Sequence, residues 1–405
     1  MNKEKIHQPK IALRGELTPP SPIRKLAPLA DEAKRKGIRV YHLNIGQPEI
    51  KTPEEIMEAL RNYKEEVLAY GPSMGIAELR QELVRYYAHF DISLTLDDIM
   101  ITTGGSEAIL FALMAVCDPQ DEVITFEPFY TNYAGFATMA GVNLIALPTL
   151  LENGFHLPLK SEITRKITPR TKAILYCSPN NPTGTIYTRE ELLMLSQIVK
   201  EYNLFLLADE VYREFVYDGV IHTGILTLKE IEERAILLDS ISKRFSACGA
   251  RIGCLISKNH QVMETVLKFG QARLCPPTIE QIGAVAGYRV WDAYLKKIVV
   301  EFNRRRDVMC EELVKIPSCV FYKPEGAFYL IVRLPIDDSE NFARWLLSDF
   351  SLDKKTVMLA PADGFYLTEG SGRQEVRIAY VLKEQALRDA IRILAKGIEA
   401  YNRRR

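Results

Sequence analysis

Residues 239–253 read DSISKRFSACGARIG. The four residues before this run, Ala235–Leu238, are apolar and read as the end of a buried strand. Lys243 comes directly after that strand, with Ser240 three residues before it and Arg251 eight residues after it. Lysine is rarely buried unless it is paired or covalently used. Open α/β sheets place their ligands just past the C-terminal ends of their strands. An amine at that place suits a Schiff base with a carbonyl cofactor. Ser240 and Arg251 then offer a hydroxyl and a rigid cationic fork to a phosphate. The same residues also suit a solvated loop, so the rest of the chain must decide.

The bulk numbers exclude several classes. The chain has 405 residues, 47% of them hydrophobic, which is enough for a large core in two or three units. Fifty-two basic residues balance fifty-two acidic ones, giving no charge bias toward nucleic acid or membrane. The runs Arg304–Arg306 and Arg403–Arg405 read as solvated faces. Seven cysteines, none in Cys-x-x-Cys, and six scattered histidines favour free thiols in a reducing compartment over disulfides or a metal site. The start, MNKEKIHQPK, lacks the apolar stretch of a signal peptide. No apolar run approaches the ~20 residues of a membrane helix. The expectation is a cytoplasmic protein with no metal.

Along the chain, residues 1–30 are polar and proline-rich and read as an arm. Residues 31–55 read as the first part of a smaller unit, and Thr52 as the N-cap of a helix over 53–63. Residues 56–294 carry strand candidates at 99–103, 122–126, 142–147, 173–177, 204–208, 235–238 and 252–256. Helical patterns lie between them, including 107–116, 130–140 and 189–202. This alternation predicts an α/β fold with a mostly parallel seven-stranded sheet between helices. A long charged helix near 290–314 leads into residues 295–405, a smaller α+β unit with strands at 320–322, 328–333, 357–360 and 375–381.

Chemistry-bearing residues cluster at the predicted strand ends. One strand ends in Gly104-Gly105-Ser106 and opens a helix, an arrangement that suits an anion as well as a tight turn. Another ends in SPNNPTG (178–184), where Asn181 is stiffened by the following proline. A third ends in Asp209-Glu210-Val211-Tyr212, and a buried carboxylate there needs a partner. A protonated pyridine nitrogen is one such partner; a helix cap is the alternative. Tyr130, after a fourth strand, suits stacking on a flat ring or core packing. Outside this set, Arg377 interrupts the apolar run EVRIAYV, so it faces solvent or holds an anion such as a carboxylate. Tyr70, in a Gly-Pro loop, reads as a turn residue or a phosphate contact. Together these parts describe one ligand, a phosphorylated pyridine aldehyde.

The ordered motifs NIGQPE, SPNNPTG, DEVY and SISK, with ARIG behind them and VRIAYV near the end, resemble those of class I/II aminotransferases, the pyridoxal-phosphate enzymes of fold type I. The resemblance covers nearly the whole chain. It implies pyridoxal 5'-phosphate as cofactor and Lys243 as the Schiff-base lysine and proton shuttle. It implies Asp209 on the pyridine nitrogen, Asn181 and Tyr212 on the phenolic oxygen, and Tyr130 against the ring. Gly105, Ser106, Ser240 and Arg251 would hold the phosphate, together with Tyr70 of the neighbouring copy in a homodimer with shared sites. Arg377, Gly46 and Asn181 would bind the substrate carboxylate. The implied reaction is ping-pong transfer between an L-amino acid and a 2-oxo acid, with aspartate/2-oxoglutarate first and aromatic, alanine or broad specificity next.

Two departures bear on the substrate. Ser106 and Tyr130 stand where some aspartate enzymes of this type carry lysine and tryptophan. Arg273 lies near a region that can contact a distal carboxylate, and also suits a surface position. A carbon–sulfur β-lyase on the same cofactor is the competing reaction, and product analysis separates the two. A regulatory module that has lost catalysis is disfavoured by the intact Lys243, Asp209 and Arg377.

Overall fold

Short apolar runs bounded by turn residues can be satisfied only by burial on both faces, and the chain does this with one large sheet. The computed structural model describes residues 10–404. After β1 (Arg39–His42), seven strands form that sheet: β2 (Ile99–Thr102), β3 (Glu122–Glu127), β4 (Asn143–Pro148), β5 (Thr171–Cys177), β6 (Phe205–Asp209), β7 (Ala235–Ser240) and β8 (Gly253–Ile256). Their spatial order is β2-β8-β7-β6-β5-β3-β4. All run parallel except β8, which is antiparallel to both β7 and β2. Every residue of β2, β3, β7 and β8 is buried, whereas the edge strand β4 is mostly half-exposed.

The lone reversed strand has a geometric effect. The parallel strands β2, β3, β5, β6 and β7 deliver their C-terminal residues to one edge of the sheet. Because β8 runs the other way, its N-terminal end arrives at that same edge. Register places Thr102 and Ser240 on either side of Gly253, and Cys177 beside Asp209.

The C-terminal region builds a second sheet, in the order β12-β13-β10-β9, from β9 (Val320–Phe321), β10 (Tyr329–Arg333), β12 (Ala360–Pro361) and β13 (Glu375–Ala379). The single strand expected over 357–360 is instead two. β11 (Lys355–Met358) pairs in parallel with β1, and the chain changes sheets at Leu359 so that β12 pairs with β13. The long helix is Trp291–Leu313. Its Arg305 and Arg306 are not solvated as expected; both are buried. Arg306 Nη2 pairs with Asp218 at 2.9 Å, and Arg305 donates to the Val381 carbonyl. Carboxylates both near in sequence, Glu301 and Asp307, and distant, Glu49 and Asp218, thus compensate two charges on the inward face of the helix. Thr52 does not cap the helix Glu54–Arg61, which Pro53 precedes directly; its hydroxyl donates to the Ser246 carbonyl at 2.9 Å. Among the described residues no helix is long and apolar enough to cross a membrane, and all seven cysteines are free.

Beneath the Lys243 turn lies a buried ion cluster. Arg244 is fully buried and uses every guanidinium nitrogen. Nε donates to Glu214 at 2.7 Å, Nη1 to the Tyr288 hydroxyl at 2.8 Å, and Nη2 to Asp239 at 2.8 Å. Tyr87 donates to the same Asp239 oxygen at 2.7 Å, and Tyr86 donates to Glu214. Removing one partner of such a group leaves uncompensated buried charge. We expect Arg244→Ala to lose roughly 3–5 kcal/mol in urea unfolding, and Arg244→Lys to recover little because it lacks the planar fork. A loss below ~1 kcal/mol would show that the cluster is not a major anchor.

Candidate active site

The strand ends converge on a cavity of about 640 Å³. Gly46, Gly105, Ser106, Tyr130, Asn181, Asp209, Tyr212, Ser240, Lys243, Arg251 and Arg377 all line it. Of the residues singled out from the sequence, Tyr70 is absent from this lining; it is 81% exposed. Arg273 is also outside it, held by the carbonyls of Ser73 and Ile101 at 3.2 and 3.3 Å and paired with Glu107 at 3.6 Å.

Lys243 sits in a single turn, Ile241–Arg244, capped by Ser240, whose side chain accepts from the Ser242 amide. Consecutive side chains on this turn diverge: Arg244 enters the ion cluster and Lys243 enters the cavity. The Lys243 amine donates to the Gly46 carbonyl at 2.7 Å and lies 3.7 Å from the Cys248 sulfur. A Cβ on Gly46 would overlap the Tyr329 phenol, so only glycine lets this carbonyl approach the lysine.

Two cavity groups carry charge without a counter-charge. Asp209 ends β6, accepts from the Tyr133 hydroxyl at 2.6 Å and from the Val211 amide at 3.3 Å, and is paired with no cation among the described residues. Burial pushes its carboxyl up to about 6. Arg377 on β13 is 1% exposed. Of the two alternatives read from sequence, solvent does not hold, because the side chain is buried and lines the cavity. Its Nη1 donates to Asn181 Oδ1 at 3.0 Å, its Nη2 to the Asn44 carbonyl, and its guanidinium lies over the rings of Tyr329 and Phe365. No carboxylate among the described residues pairs with it, its Nε has no acceptor, and burial draws its affinity for the proton down.

A third feature is built for an anion. The helix Gly104–Val116 starts at the cavity with Gly104 at φ +73°, a conformation open mainly to glycine. A Cβ there would sit 2.3 Å from Arg251 Nη2, so the missing side chain lets the guanidinium settle on the helix N-terminus. Backbone amides, the positive helix end, Ser240 and Arg251 meet at one point. This cradle, the unpaired acid and the lysine line one cavity and fit a phosphorylated pyridine aldehyde.

The match of residues 38–394 to the model of aminotransferase class I and II decides the family. The chain belongs to the class I and II aminotransferases. Relatives of this aminotransferase include the aspartate aminotransferase of Sulfurisphaera tokodaii, 32% identical over 90% of this chain and 92% of that one. The aromatic-amino-acid aminotransferase 2 of Thermococcus litoralis is also 32% identical, over 95% and 97%. The solved aspartate aminotransferase of Thermotoga maritima superimposes with a TM-score of 0.88 at 31% identity, covering 96% of this chain and 100% of that one.

Several residues that shape this aminotransferase site were not singled out from the sequence, although Asn44 opens the NIGQPE motif. Tyr133 lies three residues beyond Tyr130, a spacing that could have flagged it. Tyr329 hydrogen-bonds Tyr212 through the two hydroxyls at 2.9 Å, and Asn44 holds Arg377; both arrive from outside the large sheet. In the cofactor-free protein the raised Asp209 carboxyl has a sign that can be tested. Its folded value lies above the ordinary 3.8, so the native state favours the protonated form. Ionisation then costs stability, on the order of 2–3 kcal/mol, appearing as pH rises from about 4 to 6. We expect cofactor-free Asp209→Asn to melt above wild type at pH 8, with the difference vanishing below pH 4. A lower melting temperature at pH 8 would contradict this reading.

Proposed function

We propose that this aminotransferase moves the amino group of an L-amino acid to a 2-oxo acid with pyridoxal 5'-phosphate as cofactor. Aspartate and 2-oxoglutarate are the first substrate pair, and aromatic amino acids or alanine the next. The observation that carries this reading is the pair of uncompensated buried charges, Asp209 and Arg377, lining one cavity together with Lys243. The relatives named for aspartate and for aromatic amino acids support the order of substrates.

When bound, pyridoxal phosphate supplies an aldehyde that condenses with amines and a protonated ring that accepts electrons. Asp209, steadied by Tyr133, would hold the proton on the ring nitrogen. Ser240, Arg251 and the amides of Gly105 and Ser106 would hold the phosphate. Tyr130 would pack against the ring, and Asn181 and Tyr212 would donate to its phenolic oxygen. Arg377 would bind the substrate α-carboxylate beside Asn181 and Gly46, aligning the Cα–H with the amine of Lys243. Lys243 would then move that proton as a general base and acid. Exposed Ile11, Leu13, Leu17, Val67, Leu68 and Tyr70 support a homodimer in which Tyr70 reaches the neighbouring phosphate. The balanced charge and seven free thiols support a cytoplasmic home.

The test is the absorption spectrum of the protein loaded with pyridoxal phosphate. Its visible band should collapse on adding aspartate and return on adding 2-oxoglutarate. A band unmoved by aspartate but bleached by alanine or phenylalanine would change the substrate and keep the reaction. Release of pyruvate and ammonia from a cysteine conjugate, without transfer, would favour the lyase. Lys243→Ala should lose at least ~10³-fold in turnover; near-normal turnover would overturn its assignment.

A further inference from the structure

Four cations line the cavity: Arg24, Lys243, Arg251 and Arg377. The proposed reaction gives three of them work. Arg251 lies at the phosphate cradle, Arg377 is placed for the α-carboxylate, and Lys243 is the amine. Arg24 is left over. The two acids of the lining do not account for it, since Asp239 belongs to Arg244 and Asp209 faces the ring position. Nor does any carboxylate among the described residues pair with Arg24, although its neighbour Lys25 is paired to Glu340 at 2.5 Å.

The backbone around Arg24 is fixed. Its amide donates to the Ser21 carbonyl at 3.2 Å, and its own carbonyl accepts from Ala27 at 2.9 Å. The Ile23 carbonyl accepts from the Asn44 side chain at 3.0 Å, and Leu26 is buried. Asn44 is also the residue whose carbonyl receives Arg377 Nη2. Two hydrogen bonds through one asparagine therefore connect the segment bearing Arg24 to the guanidinium at the α-carboxylate position. Arg24 is exposed, held at the cavity by its backbone and carrying a guanidinium with no partner among the described residues.

We propose that Arg24 is a specificity-determining residue, which binds the side-chain carboxylate of a dicarboxylic substrate while Arg377 binds the α-carboxylate. This deepens the transaminase reading and rests on it. A guanidinium recognises a carboxylate by a charge-assisted, bidentate pair, and an uncharged side chain gains nothing from it. Ser106 and Tyr130, the two departures noted in the sequence, supply no cation in the lining, so Arg24 fills the missing charge from another part of the chain.

The test compares Arg24→Gln and Arg24→Lys with wild type in the loaded enzyme. Arg24→Gln should lower kcat/KM for aspartate about 10- to 100-fold while phenylalanine and alanine stay within about twofold. Arg24→Lys should recover most of the aspartate activity. Titration calorimetry with maleate, an unreactive dicarboxylate, should show the matching loss of affinity in Arg24→Gln. An equal loss for every amino donor would mean that the segment only covers the site, and would overturn the proposal. Unchanged aspartate activity and maleate affinity would overturn it as well, as would a wild-type enzyme that gains nothing from a second carboxylate. Those outcomes leave transamination standing. Absence of any amino transfer by wild type would instead sink the proposed function, and the maleate titration would still judge Arg24.

Discussion

A single guanidinium buried among two carboxylates and three tyrosines fixes the turn on which this protein's chemistry depends. Arg244 cannot leave its cluster without stranding Asp239 and Glu214 in the core. Asp239 belongs to β7, and Glu214 follows the end of β6, so the cluster joins two adjacent strands to the turn after them. Such a buried network is weak evidence for net stability, but it specifies one arrangement of the turn. With Arg244 committed inward, the preceding side chain must emerge on the other side, which is where the amine of Lys243 meets the Gly46 carbonyl.

The same economy runs through the sheet. Parallel strands gather their ends at one edge, and the reversed β8 adds its own beginning to them. Arg251 is eight residues from Lys243 yet returns to the cavity because the chain turns back immediately. The second sheet contributes from the opposite wall, where Arg377 and Tyr329 project from neighbouring strands. Each wall carries groups whose charge or hydrogen-bonding capacity is incomplete within the protein. A polar ligand with a negative phosphate, a basic ring nitrogen and a carboxylate would complete them in turn.

Much of this was legible in the sequence because fully buried strands leave unbroken apolar runs and the reactive residues follow them directly. Asp209 after LFLLA and Lys243 after AILL are read in that way. The sheet type, its seven strands and the place of most cavity residues followed from the same pattern. Legibility failed where compensation is distant. Arg305 and Arg306 look solvated in a charged helical run, yet the fold brings Asp218 and the Val381 carbonyl to them. Thr52 has the composition of a cap and is drawn away by the Ser246 carbonyl. Tyr329 and Arg24 have no local signature, because only tertiary packing carries them to the cavity, and Asn44, though inside NIGQPE, shows nothing locally of its hold on Arg377.

The bond between Arg377 and the Asn44 carbonyl spans 333 residues of chain. At ribosomal speeds of about 5–20 residues per second, the segment holding Asn44 emerges roughly 15–70 s before Arg377 does. The large sheet can form in that interval, but the wall that Arg377 supplies cannot. Until then Asn44 and the Arg24 segment lack the partner that seats them, and a truncated chain ending before β13 has no closed cavity. The site therefore closes only after the second sheet can form, and its completion reports that the chain through β13 has been made and folded.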